Sequence, residues 1–153
     1  MKLAAASHQK LEAFFREYLD DENFRLPVIY FYAGRFTGIL TDLIGVHGIT
    51  FGKRIFIKPR FVSLDKNNLP QLPADLTAHE IAHVLQYERE GFIKFFYKYL
   101  SDYRRNLRKF EKRDVYSRQQ AYLEIPFEIE ARCAAAQFVE WRKLRDGVRR
   151  DEG

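Results

Sequence analysis

His79-Glu80-Ile81-Ala82-His83 decides how the rest of this chain is read. On a helix, residues four apart share a face, so both imidazoles can reach one ion about 2 Å from each ring nitrogen. Glu80 then lies beside the ion without binding it, where a carboxylate can take a proton from metal-activated water. Chance placement of His and Glu at this chain's frequencies yields such an H-E-x-x-H pentad roughly 0.01 times per chain. A plainer reading also exists. Thr77 could cap a helix with Glu80 bonding back to its backbone, leaving both histidines as ordinary polar residues. Asp75, after Pro70 and Pro73, caps equally well a half-turn earlier and leaves Glu80 for chemistry.

A catalytic metal of this kind needs a third protein ligand and one open position. The longer pattern H-E-x-x-H-x-x-G-x-x-H fails, because Gln86 and Arg89 occupy the places of its glycine and last histidine. His8 and His47 both precede the pentad, so an acid on a downstream helix is expected instead. The best segment runs from Tyr122 through Pro126, Glu128 and Glu130 to Ala136. Pro126 suits a first helical turn, and the alanines after it propagate a helix well. Acids in that first turn also complement the helix dipole without any metal.

In these two stretches the chain resembles the gluzincins, H-E-x-x-H metallopeptidases whose third ligand is a glutamate in an E-x-x-[AS]-D type motif. Glu128-Ile129-Glu130-Ala131-Arg132 puts Glu128 on the ligand and Ala131 on the small residue. Arg132 stands where many gluzincins carry an aspartate that steadies a ligating histidine, so that support must come from elsewhere. Glu130 remains an alternative ligand. The similarity is to minimal gluzincin-like domains and covers roughly residues 45 to 140, its specific part being the two motifs.

The resemblance implies a zinc metallo-endopeptidase acting on a peptide or protein. One Zn²⁺ would be held by His79, His83 and Glu128, with Glu80 as the general base that later passes its proton to the leaving amine. The second oxyanion donor stays open among Tyr122, Tyr30, Tyr32 and His47. An edge strand within residues 49–58 would pair with the extended substrate, unless that strand is interior. The rival reading is a zinc-binding interaction or regulatory module without proteolysis, contacting an anionic partner through a basic helix.

Length and composition suit one domain over residues 1–153. A core can form at this length, and 46% hydrophobic with 16% aromatic residues argues against disorder. Cys133 is the single cysteine, which excludes an intramolecular disulfide; it is expected as a small buried residue in a reducing compartment. With no apolar leader and no long apolar run, the expectation is a soluble cytoplasmic protein without a transmembrane segment. The net charge of +5 is concentrated between Lys94 and Arg118. No recognition motif accompanies it, so a solvated basic face is expected rather than nucleic-acid binding.

The resulting fold is α+β and zincin-like. An N-terminal helix over residues 7–19 and a short, mostly antiparallel sheet pack on the metal helix, expected over 76–90 and ended by Gly91. Val28–Tyr32 reads as a strand, residues 37–48 as an ambiguous strand and turn, and residues 49–58 as a strand pair or one bent strand. One long helix with apolar positions from Phe92 to Phe110 follows, then the Glu128-bearing helix from Pro126 to about Leu144. Residues 145–153 read as a flexible charged tail, and the stretch from Arg142 onward as a candidate plug for the cleft.

Overall fold

The computed structural model describes residue 3 and residues 5–44, 48–64 and 70–151. Along the chain run α1 (Ala5–Leu19), β1 (Tyr30–Tyr32), α2 (Arg35–Ile44), β2 (Gly48–Phe51) and β3 (Arg54–Ile57). A 3₁₀ turn at Pro59–Phe61 leads to the two-residue strands β4 (Ser63–Leu64) and β5 (Pro70–Gln71). The second half is helical: α3 (Ala74–Glu90), α4 (Phe92–Leu107), α5 (Val115–Leu123) and α6 (Pro126–Asp151). The fold is the expected α+β class, with a small sheet and dominant helices.

Residues 49–58 form a hairpin rather than a bent strand. Phe51 pairs with Arg54 across Gly52 and Lys53, and Gly52 takes φ 54°, a conformation two-residue turns reserve for glycine. The sheet order is β1-β3-β2. β2 runs antiparallel to β3 and β1 pairs with β3 in parallel, because the chain enters β2 opposite to β1 and the hairpin turn restores that direction in β3. Of the ambiguous residues 37–48, 37–44 are helix and Gly48 opens β2, while 45–47 lie outside the described residues.

Alternation sorts the hairpin's faces. Ile55 and Ile57 enter the core with Phe31 of β1, while Thr50 is buried and reaches α3. Phe56 lies on the opposite face, stacked on Tyr32 at 5.2 Å.

α3 begins at Ala74, and neither Asp75 nor Thr77 caps it. Its N-cap is Pro73, with no side-chain cap, and the Thr77 hydroxyl donates to the Pro73 carbonyl at 2.8 Å. Gly91 ends it with φ 76°, a positive value that glycine adopts at little cost. Ala78, Ile81, Ala82 and Val84 of α3 share one core with Ala131, Ala134, Ala135 and Phe138 of α6. Small residues on both sides let two helices that each carry part of the site run against one another.

A second, aromatic cluster joins Tyr87, Phe95, Ile125 and Phe127, with Tyr99, Tyr103 and Tyr122 at its edge. The chain from Phe92 onward is two helices rather than one. It breaks after Leu107, and α5 starts at its own cap, where Asp114 accepts from the Ser117 backbone N–H at 2.8 Å.

The last helix passes Leu144 and continues to Asp151. Contacts with α1 hold this extension: Arg145 pairs with Glu17, Asp146 with Lys10 at 2.9 Å, and Phe138 and Trp141 pack on Phe14. Cys133 is exposed, on the side of α6 turned away from the alanine seam, and is not the buried residue expected. Among the described residues, no helix is long and apolar enough to cross a membrane.

Candidate metal centre

Helical spacing brings His79 and His83 onto one face of α3, with their Nε2 atoms 3.2 Å apart. Glu128, in the first turn of α6, meets both. Its Oε2 lies 3.4 Å from His79 Nε2 and its Oε1 3.3 Å from His83 Nε2. Ligands about 2.0–2.1 Å from a four-coordinate divalent ion stand ~3.3 Å from one another along the edges of a tetrahedron. The separation of the two imidazole nitrogens matches that edge, and the carboxylate turns one oxygen toward each imidazole. These three residues form a group that could hold a metal ion. No family model, curated protein or solved structure matches this chain. The reading of the site therefore rests on its own geometry.

The partners around His83 fix its orientation. Gln86 Nε2 donates to the Phe127 carbonyl at 3.0 Å and to Glu130 Oε2 at 3.2 Å. An amide held that way must present its oxygen on the other side, and Gln86 Oε1 lies 2.7 Å from His83 Nδ1. Nδ1 therefore carries a proton, and Nε2 faces the shared focus, where it can hold either a second proton or a metal. Burial opposes charge on His83, but hydrogen bonding and attraction from Glu128 hold its pKa above the usual value. A metal there competes with that proton for the same lone pair.

The alternative ligand, Glu130, is engaged elsewhere. It takes a two-pronged bond from Arg89, at 2.8 and 2.9 Å, and steadies Gln86. Two residues along a helix turn the side chain by about 200°, so Glu128 and Glu130 face different neighbours. Arg132 does not stand in for the missing aspartate. It donates to the Leu123 carbonyl, at the end of α5, where a cation complements exposed carbonyls.

Glu128 is itself held from behind. Tyr99 of α4 donates to Oε1 and Tyr122 of α5 to Oε2, each at 2.7 Å. Burial and the Glu128 charge push both phenols well above the usual tyrosine range, so they remain donors. Burial alone would raise the Glu128 pKa, but bonds with His79, His83 and Tyr122 hold it well below the carboxylate range.

Glu80 is 3% exposed and points at β2. Thr50 Oγ1 donates to its Oε2 at 2.6 Å. Gly48 passes so close that a Cβ there would overlap the Glu80 carboxylate, so a larger residue at that position would push the carboxylate aside. The negative charge of Glu80 also raises the pKa values of His83, Tyr99 and Tyr122, which places it within electrostatic reach of the triad.

Of the four candidate oxyanion donors, only Tyr122 is brought to the triad, and it is spent on Glu128. Tyr30 and Tyr32 lie on β1, on the far side of β3 from β2. His47 lies outside the described residues. Sequence reasoning missed Tyr99, Thr50 and Gly48 and gave Gln86 no role in the site. Tyr99 left a trace: a tyrosine within an inward-facing phenylalanine stripe must find a partner for its hydroxyl.

The expected C-terminal plug is not at the site, since Arg145 sits about 25 Å along α6 from Glu128 and packs on α1. Two cavities, of about 190 and 580 Å³, lie elsewhere, and neither is lined by His79, His83 or Glu128.

Proposed function

We propose that this chain is a zinc-dependent peptidase of the gluzincin kind. The carrying observation is the convergence of His79 Nε2, His83 Nε2 and Glu128 on one point, with buried Glu80 beside it. Two imidazoles and one carboxylate form a donor set that suits zinc and leaves a fourth position open. Bound zinc would supply Lewis acidity, acidifying a water and polarising a carbonyl.

The remaining work falls to the protein. Thr50 donates to Oε2 of Glu80 and Oε1 lies against Gly48, so Glu80 would take a proton through Oε1 at the edge of β2 and deliver it to the leaving amine. β2 pairs with β3 on one side and has no partner on the other among the described residues. An extended peptide can hydrogen-bond along that edge, directly above Glu80.

The test combines metal analysis with cleavage of an unfolded protein substrate. Wild type is expected to hold about one zinc per chain. Glu128→Ala should lose it, Glu130→Ala should keep it, and Glu80→Gln should keep it while losing cleavage. Proteolysis retained by zinc-loaded Glu80→Gln would remove the general-base assignment.

A second reading draws on the same closeness. Glu80 is buried and ties α3 to β2 through Thr50, and His83 and Glu128 are also buried. That arrangement suits a zinc-stabilised interaction module, in which the ion holds helices together without chemistry. It predicts zinc binding and no cleavage by wild type.

A further inference from the structure

Glu128 has an unusual set of neighbours for a single carboxylate. One hydroxyl holds each oxygen from behind, from two different helices, while each oxygen's other side faces one imidazole. The tyrosines belong to α4 and α5, which contribute no metal-binding atom. Tyr99 and Tyr122 sit at the rim of the aromatic cluster built on Tyr87, Phe95, Ile125 and Phe127. Their rings are anchored by packing, and Phe95 lies 5.7 Å from Tyr99. With both oxygens held at 2.7 Å, the carboxylate can neither rotate about its last bond nor swing away without breaking two buried hydrogen bonds.

We infer that Tyr99 and Tyr122 form a two-hydroxyl clamp that positions Glu128 as a metal ligand and sets the metal affinity of the site. The inference rests on the metal reading above and deepens it. Neither tyrosine touches the ion; both act through Glu128. The clamp orients the carboxylate ligand from α4 and α5, and Arg132 within α6 takes no part in it. Gln86 does the equivalent for His83 from α3, so two of the three ligands are held by a named hydrogen-bond partner. It also ties docking of the α4–α5 pair to the metal centre, because displacing either helix removes a donor from Glu128.

Zn²⁺ affinity by competition with a chromophoric chelator tests this, together with the visible absorption of the Co²⁺-substituted protein. The proteins are wild type, Tyr99→Phe, Tyr122→Phe, the double variant, and Tyr97→Phe as a control. Tyr97 lies on the same helix but is 74% exposed. Phenylalanine keeps the ring packing, and circular dichroism of each metal-free protein checks the fold. Each clamp variant is expected to lose roughly 10–100-fold in affinity, the double variant more, with altered Co²⁺ bands and no change in Tyr97→Phe. Wild-type affinity and Co²⁺ bands in the double variant would overturn the clamp while leaving the zinc reading intact. Failure of wild type to bind either ion would overturn both.

Discussion

Gln86 carries more of the site than its place outside the pentad suggests. One amide bonds a histidine, a main-chain carbonyl of α6 and the carboxylate of Glu130, and the residue is 1% exposed. Nothing in the sequence marks it except its position one turn after His83, facing the same way. Gln86→Leu keeps most of the volume and removes all three bonds. The Phe127 carbonyl is then buried without that donor, and His83 is free to turn. The expected outcome is a stability loss of about 1–3 kcal/mol and a zinc affinity lower by roughly 10–100-fold. Chemical denaturation and chelator competition measure the two, and an unchanged affinity would mean that packing alone orients His83.

At the scale of elements, strong local signals were legible and long-range ones were not. The pentad, Gly91 and Pro126 located α3 and the start of α6, because caps and periodicity act within a few residues. The end of α6 was hidden because its last turns lean on Glu17 and Lys10 of α1, over a hundred residues earlier in the chain. The parallel pairing of β1 was hidden for a similar reason, since a short run of apolar residues does not say which neighbour it will meet. The gap between α4 and α5 contains neither proline nor glycine, so the basic run read as one helix. Its real marker is Asp114, which caps α5 by accepting from Ser117. That hydrogen bond holds the Asp114 carboxyl below the ordinary aspartate value of 3.8. A depressed folded-state pKa means the cap stabilises fully above the ordinary value and fades as pH falls through the lower, folded one. Asp114→Ala should therefore melt below wild type near neutral pH, and the gap should narrow as pH is taken below about 3.8. Thermal melts across that range check it; a constant gap would assign the loss to helix propensity rather than to the charged cap.

For the whole molecule, the candidate site is where separate parts of the fold are joined. His79 and His83 come from α3, Glu128 from α6, its two hydroxyl donors from α4 and α5, and the neighbours of Glu80 from β2. The candidate ligands were legible because spacing within α3 names the two histidines and one downstream motif narrows the acid to Glu128 or Glu130. The supports were not, because each is an ordinary Tyr, Thr, Gly or Gln whose role exists only once distant helices meet. The same convergence would make a bound metal a folding ligand. The unfolded chain keeps His79 and His83 near each other but leaves Glu128 at the end of a long flexible loop, so zinc would bind the folded form far better. Zinc at 100 times its dissociation constant is expected to add about 2.7 kcal/mol to stability, or roughly 5–10 °C in melting temperature for a chain of this size. A chelator should reverse the shift, and Glu128→Ala should show little of it. Calorimetry with and without zinc measures both. A wild-type melting temperature indifferent to zinc would mean that the three groups converge for reasons of packing and proton sharing, with His83 held by Glu128 rather than by a metal.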